Sequence, residues 1–395
     1  MADELAYAMI TPYNLIKSRT GGIIARFLAR TEKLDLVGAR MYAPSDAMID
    51  EYKATLNEEE AETPEILAAL KAYLDNNMRP NNRRGIINRC LFLLFRGENA
   101  VETIRRVTGS FSWSSMHGDT IRGTYSDYLT FDNGRTYYFE PGILIAATPE
   151  ACRKQLAIFA KYAASDGGVL ENIIPFPDDI RHKVQTTLVM LKPENFNKPS
   201  ARPGNIIDVF SRTGLYIVGA RILRMSVAQG REFYGPLRRE FPEKLKFLVE
   251  KKIREKLLPE LGFEVSPDKV SRMADILKED NAENEFNRIV EFMTGIHPRS
   301  VKSAEEERNP GPAKCLALLY QGVDAVARIR EVLGPTDPKK AGGGTVRSDY
   351  GADLMKNGAH ASDSPENAAR ERRIIGLTGN EPPDIEPIIR DYLRA

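Results

Sequence analysis

Between Lys356 and Ser364 the chain reads Lys-Asn-Gly-Ala-His-Ala-Ser-Asp-Ser, and a helix-like run from Glu366 to Ile375 follows Pro365 at once. Alanines on both sides of His360 leave its imidazole room to meet a ligand, while Asn357, Ser362 and Asp363 supply short polar groups that can hold neighbouring loops. A histidine attacks with one ring nitrogen and needs an oriented partner on the other. Pro365 suits the first turn of a helix, and that helix carries Glu371 eleven residues after the histidine, where a carboxylate would fix the tautomer. The chemistry these types and spacings serve is covalent relay of a group through a histidine nucleophile.

The remaining chain must position that segment. At 395 residues, 42% hydrophobic and 28% charged, it is long enough for two or three globular domains, each with its own core. A net charge of +1 gives no basis for nucleic acid or a membrane surface as the main partner, and no apolar run approaches the roughly 18 to 20 residues of a membrane span. Met1 to Leu5 is acidic and leads into a strand-like run, so no secretory signal is visible and a cytoplasmic location is expected. Cys90, Cys152 and Cys315 have no metal-type spacing and read as reduced structural thiols; no protein metal site is expected. His117, His182 and His297 lack the company that marks His360 and read as surface or hydrogen-bonded structural residues. Gly342-Gly343-Gly344 has no following Lys-Ser/Thr and reads as a flexible turn.

An internal repeat sets the architecture. Ala6 to Ile10, Thr11-Pro12, a polar loop to Gly22, an apolar helical run from Ile23 to Ala29 and Val37-Gly38-Ala39-Arg40 return 181 residues later. There they are Thr187 to Leu191, Lys192-Pro193, a loop to Gly204, a helix face of Ile206, Ile207 and Phe210, and Val218-Gly219-Ala220-Arg221. Further on the offset is 225: Asn88 to Gly97 matches Ala313 to Gly322, Ala100 to Val107 matches Ala325 to Val332, and Thr120-Ile121-Arg122 matches Thr345-Val346-Arg347. Between its second and third strands the second copy thus carries 44 more residues than the first.

Each copy reads as alternating strands and helices in the order of a ferredoxin-like split βαβ sandwich (βαββαβ), so the fold class expected is α+β, with helices covering one face of an antiparallel sheet. The boundary falls near residue 180, in the Gly- and Pro-containing stretch from Ser165 to Arg181, giving domains 1–180 and 181–395. The extra residues, at about 242–310, predict an inserted helical subdomain or lid of three helices. These are Pro242 to Leu258, a second starting at Ser266-Pro267-Asp268, and Ala282 to Met293 stopping at Gly295. Its lysines and arginine are interleaved with glutamates and read as a solvated face.

Lys192-Pro193, Tyr234, Arg330, Gly334-Pro-Thr336-Asp-Pro338, Gly344-Thr-Val-Arg347 and Asn357-Gly-Ala-His360-Ala-Ser362-Asp-Ser occur in this order. In these motifs the second copy resembles the nucleoside diphosphate kinase family from Thr186 to Leu377 apart from the insertion, and the first copy resembles the same fold more weakly. The resemblance implies ping-pong transfer of the terminal phosphate of a nucleoside triphosphate to a nucleoside diphosphate through phosphohistidine at His360. Transfer through a covalent intermediate lets one pocket serve donor and acceptor in turn. It further implies that Arg330, Arg347 and Thr336 hold the phosphates, that Lys192 and Asn357 reach the ribose and bridging oxygens, and that Tyr234 lines the pocket. Ser362 and Glu371 would position the histidine, Phe241 would stack on the base, and Mg2+ would arrive with the nucleotide. Asp337 stands where the family has asparagine, keeping the turn but adding a negative charge beside the phosphates.

In the first copy Thr11 replaces Lys192 and Leu144 replaces His360, while Arg105 and Arg122 survive; Arg122 to Leu144 spans nine residues more than Arg347 to His360. The expectation is a catalytically degenerate half that supplies packing surface, so that the two halves form a pseudo-dimer within a chain that itself forms a homo-oligomer. Two rival readings are a catalytically weak nucleotide-sensing or scaffold protein and a protein-histidine phosphotransfer role. The intact Lys192, Arg330, Arg347, Asn357 and Glu371 weigh against both.

Overall fold

The computed structural model describes residues 3–111, 118–130 and 136–395; His117 lies outside them. The fold is α+β with antiparallel sheets, and it packs as two compact units, Met1–Ile222 with Leu316–Ala395, and Leu223–Cys315. This division by packing is a different cut from the division by repeat, because the two β-sheets share one core.

In chain order the strands are β1 (Asp3–Ile10), β2 (Leu34–Tyr42), β3 (Cys90–Glu98), β4 (Asp127–Thr130), β5 (Thr136–Glu140), β6 (Ile143–Ile145) and β7 (Gly167–Gly168), then β8 (Val184–Leu191), β9 (Tyr216–Leu223), β10 (Cys315–Val323) and β11 (Ala359–Ala361). Among the described residues they form a sheet β6-β1-β3-β2-β7, a sheet β11-β8-β10-β9 and a hairpin β4-β5. Setting β7 aside, both sheets run fourth, first, third, second. The central strands β1 and β8 are apolar on both faces, as a strand covered on both sides must be, and Leu188 to Leu191 are all buried. Each such aliphatic side chain contributes about 1.5–3 kcal/mol on leaving water.

The 181 and 225 offsets reappear in atomic detail. Met9 of β1 lies opposite Leu144 of β6, and Met190 of β8 lies opposite His360 of β11. Thr11 N donates to Gly142 O at 3.3 Å and Asn14 Nδ2 to the same oxygen at 2.8 Å; Lys192 N and Asn195 Nδ2 donate to Gly358 O at 3.2 and 2.7 Å. Arg122 Nη1 reaches Gly109 O at 2.9 Å as Arg347 Nη1 reaches Gly334 O at 2.9 Å.

The helices Thr20–Arg30 and Arg202–Ser211 pack against each other, one from each half of the first unit. Glycines make the approach possible: a Cβ on Gly204 would overlap the Gly21 carbonyl and the Ala25 backbone, and one on Gly21 would overlap the Gly204 carbonyl. Arg40 and Arg221, themselves 181 residues apart, both face Asp384, at 3.6 and 3.4 Å. The helix Ile385–Arg394 that follows packs on β1, β2 and the helix Pro149–Lys161.

Between β2 and β3 the first half carries the helices Asp46–Thr55, Glu58–Ala61 and Pro64–Tyr73. Between β9 and β10 stands the second unit, with helices Val227–Phe233, Gly235–Lys252 and Pro267–Thr294. The sequence expectation of separate helices beginning at Ser266 and Ala282 is corrected, since one helix runs through from Pro267 to Thr294. It has no internal Gly or Pro to break it, and its buried Val270 and Ala274 pack with Val249 and Ile253. Pro242 lies inside its helix rather than at its start, which Gly235-Pro236 supply. The interleaved charges pair as expected of a solvated face, Lys246 with Asp275 at 2.8 Å and Lys252 with Glu285 at 3.6 Å. Among the described residues, no helix is long and apolar enough to cross a membrane.

Candidate active site

The His360 segment is held by three local devices. Gly358 adopts φ +85, a left-handed conformation that glycine accepts without strain. The next three residues pair with the central strand β8, and Ser362 N donates to Leu188 O at 3.1 Å. Ser364 then caps the helix Pro365–Ile374 by accepting from Asn367 N, with Pro365 in the first turn, which brings Glu371 back over the strand in the last turn.

There Glu371 Oε2 meets His360 Nε2 at 2.8 Å and accepts from Ser362 Oγ at 2.6 Å. A carboxylate on Nε2 makes that nitrogen the N–H and leaves the lone pair on Nδ1. Burial pushes the Glu371 carboxyl up, but the electrostatic attraction of the adjoining His360 ring, the hydrogen bonds from His360 and Ser362, and Arg370 outweigh it and hold the group below the usual carboxylate range. Because the folded-state value is lowered, the ionised carboxylate's contribution to stability is fully present above the ordinary range near pH ~4.3 and is lost as the pH falls through the lowered value. Glu371→Gln should therefore lower the thermal midpoint at neutral pH and converge on the unmodified chain in acid. Losing the carboxylate that orients a metal-bound histidine typically costs about 10–100-fold, and kcat/KM for the reaction carried by His360 should fall by a similar order. Equal thermal midpoints at neutral pH, or unchanged kcat/KM, would refute the positioning role.

A second hydrogen-bonded group adjoins the first through the β8–β11 pairing. Lys192, the residue after β8, donates Nζ to Asn357 Oδ1 at 2.7 Å and to Met355 O at 3.0 Å. Asn357 Nδ2 donates to Thr336 O at 3.1 Å. Arg347, in the short helix Val346–Tyr350 capped by Thr345, donates Nη1 to Gly334 O and, at 3.4 Å, to Thr336 Oγ1. Burial, helped by the like charge of Arg330, pushes the Arg347 guanidinium down to about 10, and among the described residues its buried Nε has no hydrogen-bond partner. Two neighbouring guanidiniums with an unmet donor form a place for an anion. Arg330 lies exposed in the last turn of its helix, Ala325–Leu333, and Thr336 is exposed in the turn that follows. Asp337 is engaged locally, its carboxylate accepting from Lys339 N at 3.1 Å.

Sequence reasoning missed the groups that brace this turn. Glu194 Oε1 accepts from Gly358 N at 2.9 Å, and Arg202 Nε donates to Asn195 Oδ1 at 2.8 Å while its Nη2 reaches Tyr350 O. Asn195 was available as a signal, since Asn14 stands 181 residues earlier. Tyr234 and Phe241 belong to the second unit: Tyr234 is buried against Phe233, with ring centres 5.0 Å apart, and Phe241 is half-buried in Gly235–Lys252. His182 is exposed, and His297 Nδ1 accepts from Arg299 N at 3.2 Å.

The first half lacks the corresponding set. Gln155 occupies the helix position of Glu371, Ala146 that of Ser362, Leu144 that of His360 and Thr11 that of Lys192. Where the second half has Thr336, the first has Phe111, whose ring centre lies 3.4 Å from the Arg122 guanidinium and covers it.

The sequence model described as "Nucleoside diphosphate kinase" matches residues 265–376. Among relatives, the nucleoside diphosphate kinase of Anaeromyxobacter sp. (strain K) is 30% identical over 188 residues, which are 48% of this chain and 86% of that protein. That of Bdellovibrio bacteriovorus is 29% identical over 192 residues, 49% of this chain and 92% of that protein. Solved structures of the nucleoside diphosphate kinases of Aquifex aeolicus and Pyrobaculum aerophilum are each 26% identical, cover 49% and 48% of this chain and 94% of theirs, and superpose with TM-scores of 0.30 and 0.31.

Proposed function

The chain belongs to the nucleoside diphosphate kinase family, and from that premise we propose that its kinase activity runs in two half-reactions through His360. His360 Nδ1 attacks the terminal phosphorus of a nucleoside triphosphate; the N–P bond forms as the bond to the bridging oxygen breaks, and the electron pair leaves with the nucleoside diphosphate. A second nucleoside diphosphate then reverses these bonds and carries the phosphoryl away. The ring becomes cationic when Nδ1 is phosphorylated, and Glu371 on Nε2 compensates that charge while Ser362 keeps the carboxylate in place. Arg347, Arg330 and Thr336 hold the phosphate oxygens, and Lys192 and Asn357 hold the ribose and bridging oxygens.

Mg2+ bound to the nucleotide supplies charge neutralisation at the phosphates. Lysine, arginine, amide and hydroxyl groups around His360 suit phosphate oxygens, so the cation belongs with the nucleotide rather than with a protein cage. The same reading makes the chain a tandem pair of ferredoxin-like domains, 1–180 degenerate and 181–395 catalytic, the latter with the helical insertion at about 242–310. The halves act as a pseudo-dimer in a homo-oligomer, working in the cytoplasm.

The single observation that carries the mechanism is the Glu371 carboxylate seated on His360 Nε2. Incubating the full chain with ATP and Mg2+ should give one acid-labile phosphate per chain by intact mass, discharged by added nucleoside diphosphate. Because Leu144 and Gln155 replace the nucleophile and its partner, none should map before residue 180. A stoichiometry near two, or a label in the first half, would overturn this division of labour, and no label at all would leave the scaffold reading.

A further inference from the structure

We infer that the seam between the two halves of the first unit holds a site for one monatomic anion, chloride under cellular conditions, between Arg89 and Tyr320. A recess of about 20 Å³ lies there, its walls including Leu15, Thr20, Arg89, Ser211, Ile217 and Tyr320. Arg89, one residue before β3, is 3% exposed; it donates Nη1 to Ile217 O of β9 at 2.6 Å and lies 5.1 Å from the Tyr216 ring centre. Among the described residues its Nε has no hydrogen-bond partner, and neither has the Oη of Tyr320, a residue 1% exposed. Two buried donors without acceptors thus line one recess, and each carries the desolvation cost of an unmade hydrogen bond.

The charge points to an anion rather than to water alone. Burial pushes the Arg89 guanidinium down to about 10, and among the described residues the other groups acting on it are the Tyr216 phenol and the buried Cys90 thiol, neither of them a carboxylate. Asp208, whose charge acts on Tyr320, accepts from the Gly22 amide and is not a wall of the recess. A buried cation without a counter-charge is costly, and a small anion accepting from Nε–H and Oη–H removes both deficits. The volume is that of about one water-sized sphere, which admits a halide and excludes phosphate or nucleotide. The site is also not a relic of the repeat, because the counterparts of Arg89 and Tyr320 are Lys314 and Phe95. It touches the helices Thr20–Arg30 and Arg202–Ser211, so its occupant would tighten the contact between the halves.

Bromide is the probe. Crystals of the full chain grown in sodium bromide should show an anomalous peak within hydrogen-bond distance of Arg89 Nε and Tyr320 Oη. In solution the thermal midpoint should be higher by about 2–4 °C in sodium chloride than in sodium gluconate at equal ionic strength. Arg89→Met and Tyr320→Phe should each shrink that difference. No bromide peak, with only an ordered water in the recess, would overturn the site, as would a chloride effect as large in Arg89→Met as in the unmodified chain. If Arg89→Met fails to fold, Tyr320→Phe, which keeps the charge, and the bromide map decide.

Discussion

Replacing His360 with alanine should abolish both phosphoenzyme formation and nucleotide exchange while leaving nucleotide binding within a few-fold. On the proposed mechanism the ring is the covalent relay, whereas Arg347, Arg330 and Thr336 hold the phosphates and the Lys192–Asn357 pair the ribose and bridging oxygens; Arg347 and that pair keep their hydrogen bonds without the ring. Removing one electrostatic donor from an active site typically costs about 10²–10³-fold in kcat, and removing the atom that forms the bond should cost more. Exchange in the alanine variant above a hundredth of the unmodified rate would sink the covalent route. Calorimetric binding of a nucleoside diphosphate to the same variant separates this from misfolding, since Glu371 and Ser362 still hold each other at 2.6 Å when the ring is gone.

The second large effect is on folding. Gly204→Ala places a methyl group against the Gly21 carbonyl and the Ala25 N and Cα, all backbone atoms of the opposing helix, so no side chain can swing aside. The helices Thr20–Arg30 and Arg202–Ser211 must separate, opening the packing of Ile23, Ile24, Ile207 and Phe210 beneath them. Overpacking of this kind costs about 1–3 kcal/mol and more where backbone is struck, so the thermal midpoint should fall by about 2–5 °C. Gly343→Ala is the control, because a Cβ there meets open space and should change stability by less than about 0.5 kcal/mol. If the two variants melt together, the close crossing is not what holds the helices.

Much of this was legible in the sequence because it is written in repeated spacing. The 181-residue offset predicts that Met9 and Met190 play one part, and the strand register puts Leu144 and His360 opposite them. The His-x-Ser pair and the carboxylate eleven residues after the histidine likewise meet in a hydrogen-bonded set. What escaped was long-range and conformational. Phe111 over Arg122 replaces a threonine by an aromatic ring, and only the packed structure shows the guanidinium covered. The unbroken helix from Pro267 to Thr294 escaped because Ser266-Pro267 and Gly295 mark its ends, while its middle, Glu279 to Glu285, is polar and has no apolar period to follow. Arg89 looked like one more arginine, since burial between two halves is invisible to local pattern.

The glycine-to-glycine helix crossing joins parts of one chain, and this changes how the assembly answers to dilution. Two separate subunits meeting through such a surface come apart as their concentration falls, whereas tethered partners face each other at an effective concentration of about millimolar or above. The half that carries His360 therefore keeps that neighbour at any expression level, down to a single molecule. A defective copy of the protein cannot take the neighbour's place, so damage to one chain at this seam stays in that chain.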